Sequence, residues 1–284
     1  MSSAFFVKRF TSLMASKRKV LAIVGPTASG KTKLAIETAK ILNGEIISAN
    51  SLQNYKHIPI ATAVPSVEER QGIPHYFLQE LNLTENFTAG EFGKAGRKII
   101  DSIFEKGMLP LICGGSGLYI RSLIDGFFEE ETRDENVRKN LYHQLKEKGK
   151  DFIYNELKEI DRIAASTMLP ENTRRVIRAL EVYFTSGKKI SELQQQKIEI
   201  SFRTVQVGLY LERKFLYDRI NKRVDEMIEN GLVDEVERLK SHGYDWRKYN
   251  SLNTVGIKEV FGYLEGDLEY KDMVALIKQN TRRY

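Results

Sequence analysis

The amino-acid sequence predicts an α/β protein in which a parallel sheet flanked by helices is interrupted by an inserted all-helical domain. Three observations carry this. Residues 19–42 run from an apolar, β-branched stretch through a glycine-rich loop into a helical pattern. Residues 108–113 are a second short apolar stretch, stopped by the turn Gly114-Gly115-Ser116-Gly117. From about residue 125 to residue 196 strand character is lost, and segments such as "DENVRKNLYHQLKEKG" and "NTRRVIRALEVYFTSGKK" are helical and charged.

Taken in order, 19–24 reads as a strand leading directly into Gly25. Residues 32–42 read as a helix with Leu34, Ala35, Thr38, Ala39 and Leu42 on one side. Gly44 is expected to close that helix, and 45–49 to form the next parallel strand. Pro59, Pro65 and Pro74 mark 58–74 as loop. Residues 87–106 predict a helix that starts near Thr88 and ends at Gly107, and 108–113 a buried parallel strand. Beyond the helical segment, "TVQVGLYL" (204–211) alternates as a strand, and 213–241 is a long helical stretch broken near Gly231. The expected organisation is a disordered basic extension (1–18), the first part of the core (19–124), the inserted helical domain (125–198) and the second part of the core (199–284).

Composition limits the classes of function. Of the 284 residues 42% are hydrophobic and 29% charged, an ordinary globular balance. No apolar run approaches the roughly 20 residues that cross a bilayer, so a soluble protein with no membrane partner is expected. The formal charge of +6, from 44 Lys+Arg against 38 Asp+Glu, suits an anionic partner such as nucleic acid or phosphate esters. A single cysteine, Cys113, excludes an intrachain disulfide and a multi-cysteine zinc site, and fits a reducing cytoplasm. His57 and His75 are isolated and are not expected to be ligands or proton carriers.

The chemistry begins at Gly25-Pro26-Thr27-Ala28-Ser29-Gly30-Lys31-Thr32, which matches G-x-x-x-x-G-K-[ST], the P-loop. Its backbone N–H groups converge on a phosphate at a helix N-terminus, the Lys31 ammonium neutralises it, and the Thr32 hydroxyl can hold Mg²⁺. The core is therefore expected to be P-loop NTPase-like. In most such enzymes a partner strand ends in an aspartate that organises the metal. Here that strand ends in the glycine turn, which argues against an ordinary nucleotide hydrolase or kinase.

Six segments in order, "GPTASGKT" (25–32), "ISANSLQNYK" (47–56), "GGSGLYIRSLIDG" (114–126), "ENTRRVIRALEVYFTSGK" (171–188), "LERKFLYDRINKRVDEMIENGLVDEV" (211–236) and "NTVGIKEVFGYLEG" (253–266), resemble the bacterial tRNA dimethylallyltransferase family. The resemblance runs from about Lys19 to Tyr284. It implies transfer of the dimethylallyl group of dimethylallyl diphosphate to N6 of adenosine 37 in the anticodon loop of tRNAs that read codons starting with U. Diphosphate is released, and the P-loop holds the donor in place of ATP. It further implies Mg²⁺ at Thr32, catalytic roles for Thr27, Asn50 and Arg223, and diphosphate contacts from Gly25 to Thr32 and from Arg223. Contacts to tRNA are implied for Asn50, Ser51, Leu52, Gln53, Ser116, Arg138, Arg174, Arg175, Arg178, Thr254 and Lys258. A cytoplasmic monomer is expected. A cytokinin-type adenylate isopentenyltransferase, a P-loop small-molecule kinase and a catalytically weakened tRNA-binding paralogue are the alternatives.

Two features depart from the family pattern. The family has Asp where this chain has Asn50; an amide accepts a hydrogen bond from an amine but takes up no proton at neutral pH. Asn50 is therefore expected to position N6 without acting as a base. Family members also continue past "NTRRY" into a basic, aromatic tail, and a shortened chain is the expectation.

Overall fold

The structure, a computed structural model, describes residues 18–128, 132–196 and 198–283. Residues 1–17, the bulk of the expected basic extension, lie outside these. Two compact units emerge: Asp125–Glu199 forms one, and the described residues on either side of it form the other.

The discontinuous unit is built on five strands, β1 Lys19–Val24, β2 Gly44–Ala49, β3 His75–Tyr76, β4 Leu109–Gly114 and β5 Arg203–Gly208, in the order β3-β2-β4-β1-β5. Every pairing is parallel. The inner strands are buried along almost their whole length, which explains their unbroken apolar sequences, while edge strand β5 alternates. Its helices before the second unit are α1 Lys31–Leu42, α2 Pro59–Thr62, α3 Val67–Arg70, α4 Ala89–Glu105 and α5 Gly117–Ile124. The sheet sequence then resumes with β5, in register with β1 from Lys19↔Arg203 to Val24↔Gly208.

Local chemistry accounts for most boundaries. Thr88 caps α4 in a reciprocal capping box with Glu91. The stretch 58–74, expected to be loop, instead carries α2 and α3. Proline is well placed at the first position of a helix, where Pro59 stands, and Ser66 with Glu69 forms a second capping box. Gly44 does not close α1: Asn43, in a left-handed conformation, does, and Gly44 opens β2. Glycine is needed there for space, since a Cβ would lie 2.7 Å from the Leu109 carbonyl oxygen. The buried face of α1 is Ala35, Ile36 and Ala39, with Leu34 turned outward. Arg18, grouped with the extension by composition, belongs to the fold: its guanidinium meets Asp101 and Ser201 and lies 5.1 Å from the Phe104 ring centroid.

The continuous unit contains α6 Glu135–Lys148, α7 Lys150–Ile160, α8 Arg162–Ser166, α9 Thr173–Ser186 and α10 Ile190–Leu193. Leu141, Ile153, Leu157, Val176, Ile177 and Leu180 form its core. Asp161 joins α8 to α10 by accepting from the N–H groups of Ala164 and Ser191.

The remaining helices return to the first unit: α11 Arg213–Glu229, α12 Leu232–Ser241, α13 Ile257–Leu264 and α14 Tyr270–Arg283. Gly231, left-handed, separates α11 from α12. Val224, Val236, Leu252, Val260, Phe261 and Ile277 form a second core around them.

Candidate functional site

A cleft of about 730 Å³ opens at the carboxyl end of the sheet, where open α/β sheets bind ligands. Gly25 through Thr32 line it, together with Asn50, Leu52, Gln53, Ser116, Arg219, Arg223 and Thr254. The loop's shape follows from its residues. Gly25 is packed so closely on the chain after β5 that a Cβ would lie 2.9 Å from the Leu209 carbonyl oxygen. Ala28 and Gly30 take left-handed conformations, at φ 59° and 93°, turning successive N–H groups inward as an anion nest does. The Ser29 hydroxyl is buried and has no hydrogen-bond partner among the described residues.

Electrostatics mark this as an anion site. Lys31 reaches back over the loop and donates to the Pro26 carbonyl at 2.5 Å. Burial pushes its pKa down, as does the nearby Arg223 cation, while Cys113 acts in the opposite direction. Burial also lowers Arg223, which the carboxylates of Glu226 and Glu69 partly offset. Among the described residues no carboxylate lies within ion-pair distance of either cation. Two poorly solvated positive groups facing one nest favour a polyphosphate. Cys113 at the end of β4 is pushed up to about 11 by burial, so it is a neutral thiol beneath the loop.

The opposite rim is made by the turn after β2. Asn50 accepts only a long 3.5 Å bond from Leu52 N–H, which leaves most of its side chain available. Ser116 accepts from Ser51 N–H at 3.1 Å and donates its own N–H to the Ala49 carbonyl, so the glycine turn after β4 fixes the turn that carries Asn50.

Gln53, which the resemblance places at RNA, is turned inward. Its amide donates to the Thr62 and Ala63 carbonyls and accepts from Ser48, because a buried amide must find partners. From the other side the buried Glu235 of α12 accepts from the N–H groups of Ile60 and Ala61, each at 2.9 Å. Burial raises its pKa against those two bonds. Sequence reasoning missed this clamp on the cleft wall, because its members lie up to 175 residues apart. A glutamate inside an otherwise apolar helix face was the only signal.

Four of the sequence-predicted arginines lie in the other unit. Arg174 and Arg175 are exposed on α9. Arg138 and Arg178 instead converge on buried Glu181, at 2.8 and 2.9 Å, and Arg178 also holds the Thr132 carbonyl. Thr254 lines the cleft, and Lys258, in the first turn of α13, is not among the lining residues. Among the described residues no group of three or more His, Cys, Asp or Glu side chains could hold a metal ion, and no helix is long and apolar enough to cross a membrane.

A parallel sheet with a strand–nest–helix cradle, two half-buried cations and a polar rim defines a P-loop enzyme acting on a phosphorylated substrate. Among such enzymes the chain belongs to the IPP transferase family, whose model matches residues 53–284. It is 47% identical over 268 residues to a tRNA dimethylallyltransferase of Acetivibrio thermocellus, covering 93% of this chain and 85% of that one. A solved tRNA isopentenylpyrophosphate transferase of Bacillus halodurans is 39% identical, with a TM-score of 0.69 over 94% of this chain and 84% of that one. A eukaryotic dimethylallyltransferase captured acting on tRNA is 32% identical, with a TM-score of 0.79 over 94% of this chain and 68% of that one.

Proposed function

We propose that this chain transfers the dimethylallyl group from dimethylallyl diphosphate to N6 of adenosine 37 in the anticodon loop of tRNAs that read codons beginning with U, releasing diphosphate. The observation that carries the reading is the pairing, in one cleft, of a phosphate nest and two cations outside ion-pair distance of any described carboxylate with an amide rim and no acid at the end of β4.

In this reading the nest N–H groups, Lys31 and Arg223 hold the diphosphate, and Thr27 lies at the donor end of the loop. Bond formation from N6 to C1 accompanies cleavage of the C1–oxygen bond. The electron pair leaves with diphosphate, whose growing charge these donors stabilise. Asn50 accepts a hydrogen bond from the N6 amine and aligns it, and the proton departs to water or diphosphate. Ser116 supports that rim.

Thr32 would hold Mg²⁺. The residue lines the cleft in the first turn of α1, and its hydroxyl is a hard oxygen donor that also meets the Cys113 thiol. A P-loop Ser/Thr hydroxyl at this position is a Mg²⁺ ligand, with phosphate and water completing the shell, so this residue fits. When bound, the ion would neutralise diphosphate charge. Arg174 and Arg175 are suited to tRNA phosphates by their exposure, whereas Arg138 and Arg178 would have to share theirs with Glu181. Nest, cations and rim all come from one chain, which supports action as a monomer, and the substrate supports a cytoplasmic site.

Incubation with labelled dimethylallyl diphosphate and tRNA, AMP or no acceptor tests the reading. Label in tRNA at an adenosine N6 is expected. Label in AMP, or in neither acceptor, overturns it.

A further inference from the structure

We propose that Arg213 and Arg282, held around Tyr217, form a phosphate site for the RNA substrate, separate from the site for the donor diphosphate. On α11, Arg213, Tyr217 and Asn221 follow one another at four-residue intervals and share a face. α14 packs along this helix and brings Arg282 to the same row. The Arg282 guanidinium donates to Asn221 Oδ1 at 2.6 Å and lies 5.7 Å from the Tyr217 ring centroid. Arg213 donates from Nε to the Tyr217 hydroxyl at 2.9 Å, with its guanidinium 5.5 Å from the same centroid.

The two cations are therefore no more than about 11 Å apart. They are oriented by neutral partners, and among the described residues neither has a carboxylate within ion-pair distance. The same interface does close a charge pair where one is wanted: at the next position of the row, Asp225 meets Lys278 at 2.5 Å. A guanidinium carries five donors, and the one that Asn221 satisfies leaves most of those of Arg282 free. Orientation without neutralisation is what a phosphate-binding arginine needs.

The anion is not the one served by the P-loop. Asn221 lies two residues from both Arg219 and Arg223, roughly 200° around the helix, so the two rows of cations face different directions. Yet Arg282 also lines the cleft, as do Thr254 and Gly256. The site thus flanks the reacting centre, where a backbone phosphate next to an extruded nucleotide would lie. This inference rests on the reading of the chain as a tRNA-modifying transferase.

The test measures tRNA binding by the full chain across a salt series, with donor KM measured in parallel, for wild type, Arg213→Gln, and Arg213→Gln with Arg282→Gln. The double variant is expected to weaken tRNA binding at least about tenfold and to reduce the salt slope by about 1.4, or about 0.7 for each phosphate left without its arginine. Its donor KM stays within about twofold of wild type, by the separation of the two rows. Unchanged tRNA affinity and slope overturn the proposal. A raised donor KM with unchanged tRNA binding also overturns it, by assigning the pair to diphosphate. Arg213 is exposed, so its single variant reads the site even if the double variant fails to fold. Wild-type protein that binds tRNA with this salt dependence but transfers no label would sink the proposed function and leave the phosphate site standing.

Discussion

Two groups of arginines in this molecule look alike in sequence and differ in what surrounds them. Arg219 and Arg223 on α11, and Arg174, Arg175 and Arg178 on α9, are both cationic rows on amphipathic helices. Arg223 is drawn into the cleft beside Lys31 and has no carboxylate within ion-pair distance among the described residues. Arg178 is closed onto Glu181, which Arg138 shares and which is only 1% exposed. One group leaves positive charge for a ligand; part of the other spends it on the helical unit's own core. A cationic pattern therefore says where charge is, and the nearest buried acid says whether that charge is available.

The largest effect expected from this contrast is at Lys31. Lys31→Met should lower kcat/KM for prenyl transfer by about a thousandfold, since it removes a half-buried cation facing the leaving group. Steady-state assays with labelled donor would show it, and a loss under tenfold would mean that the cleft is not the diphosphate site. Arg223→Gln should cost about a hundredfold in the same assay. Arg178→Gln should cost about 1 kcal/mol of stability, read by thermal melting, with little change in turnover. Equal losses of activity at Arg223 and Arg178 would erase the distinction between open and closed arginines.

Asn50 sharpens the comparison from the other rim. General-base catalysis is worth about 10² to 10⁴, so Asn50→Asp should raise the single-turnover rate at least about tenfold, most clearly above the carboxylate's own titration. No gain across pH would show that alignment alone limits the step.

A separate expectation, on stability against pH, concerns the closed pair. Burial alone would raise the Glu181 pKa, but hydrogen bonds from Arg178 and Arg138 outweigh it and hold the carboxyl below its ordinary 4.5. A depressed native value means the stabilisation is present above the unfolded value and is lost as pH falls through the native one. Glu181→Gln should destabilise the helical unit at neutral pH by about 1–3 kcal/mol and flatten its acid limb. Urea unfolding from neutral pH downward would reveal this, and an unchanged acid limb would contradict it.

How much was legible in advance depended on the separation of the groups involved. The P-loop could be read because its geometry is local: eight consecutive residues contain the turn, the nest and the helix start. The Thr88 cap, the break at Gly231 and four of the five strands were legible for the same reason, whereas the two-residue edge strand β3, His75–Tyr76, is too short to carry a pattern. Even locally there were errors. Three prolines suggested a loop at 58–74, although Pro59 begins one short helix and Ser66 caps another. The hydrogen bonds of Gln53 were not legible either, since its partners, the Thr62 and Ala63 carbonyls, belong to one of those unexpected turns.

By itself the sequence determined the phosphate cradle, the parallel core, the helical insertion and the presence of an amide, Asn50, just after β2, since each is written in contiguous residues or in a periodic pattern. Only the tertiary structure decided which charges are free. Pairing depends on which side chains folding brings within a few ångströms, and Glu181 with Arg138, Glu235 with Ile60, and Arg282 with Asn221 lie 43, 175 and 61 positions apart. At that separation no local propensity constrains the pairing; burial does, by making an unsatisfied polar group too costly to leave alone.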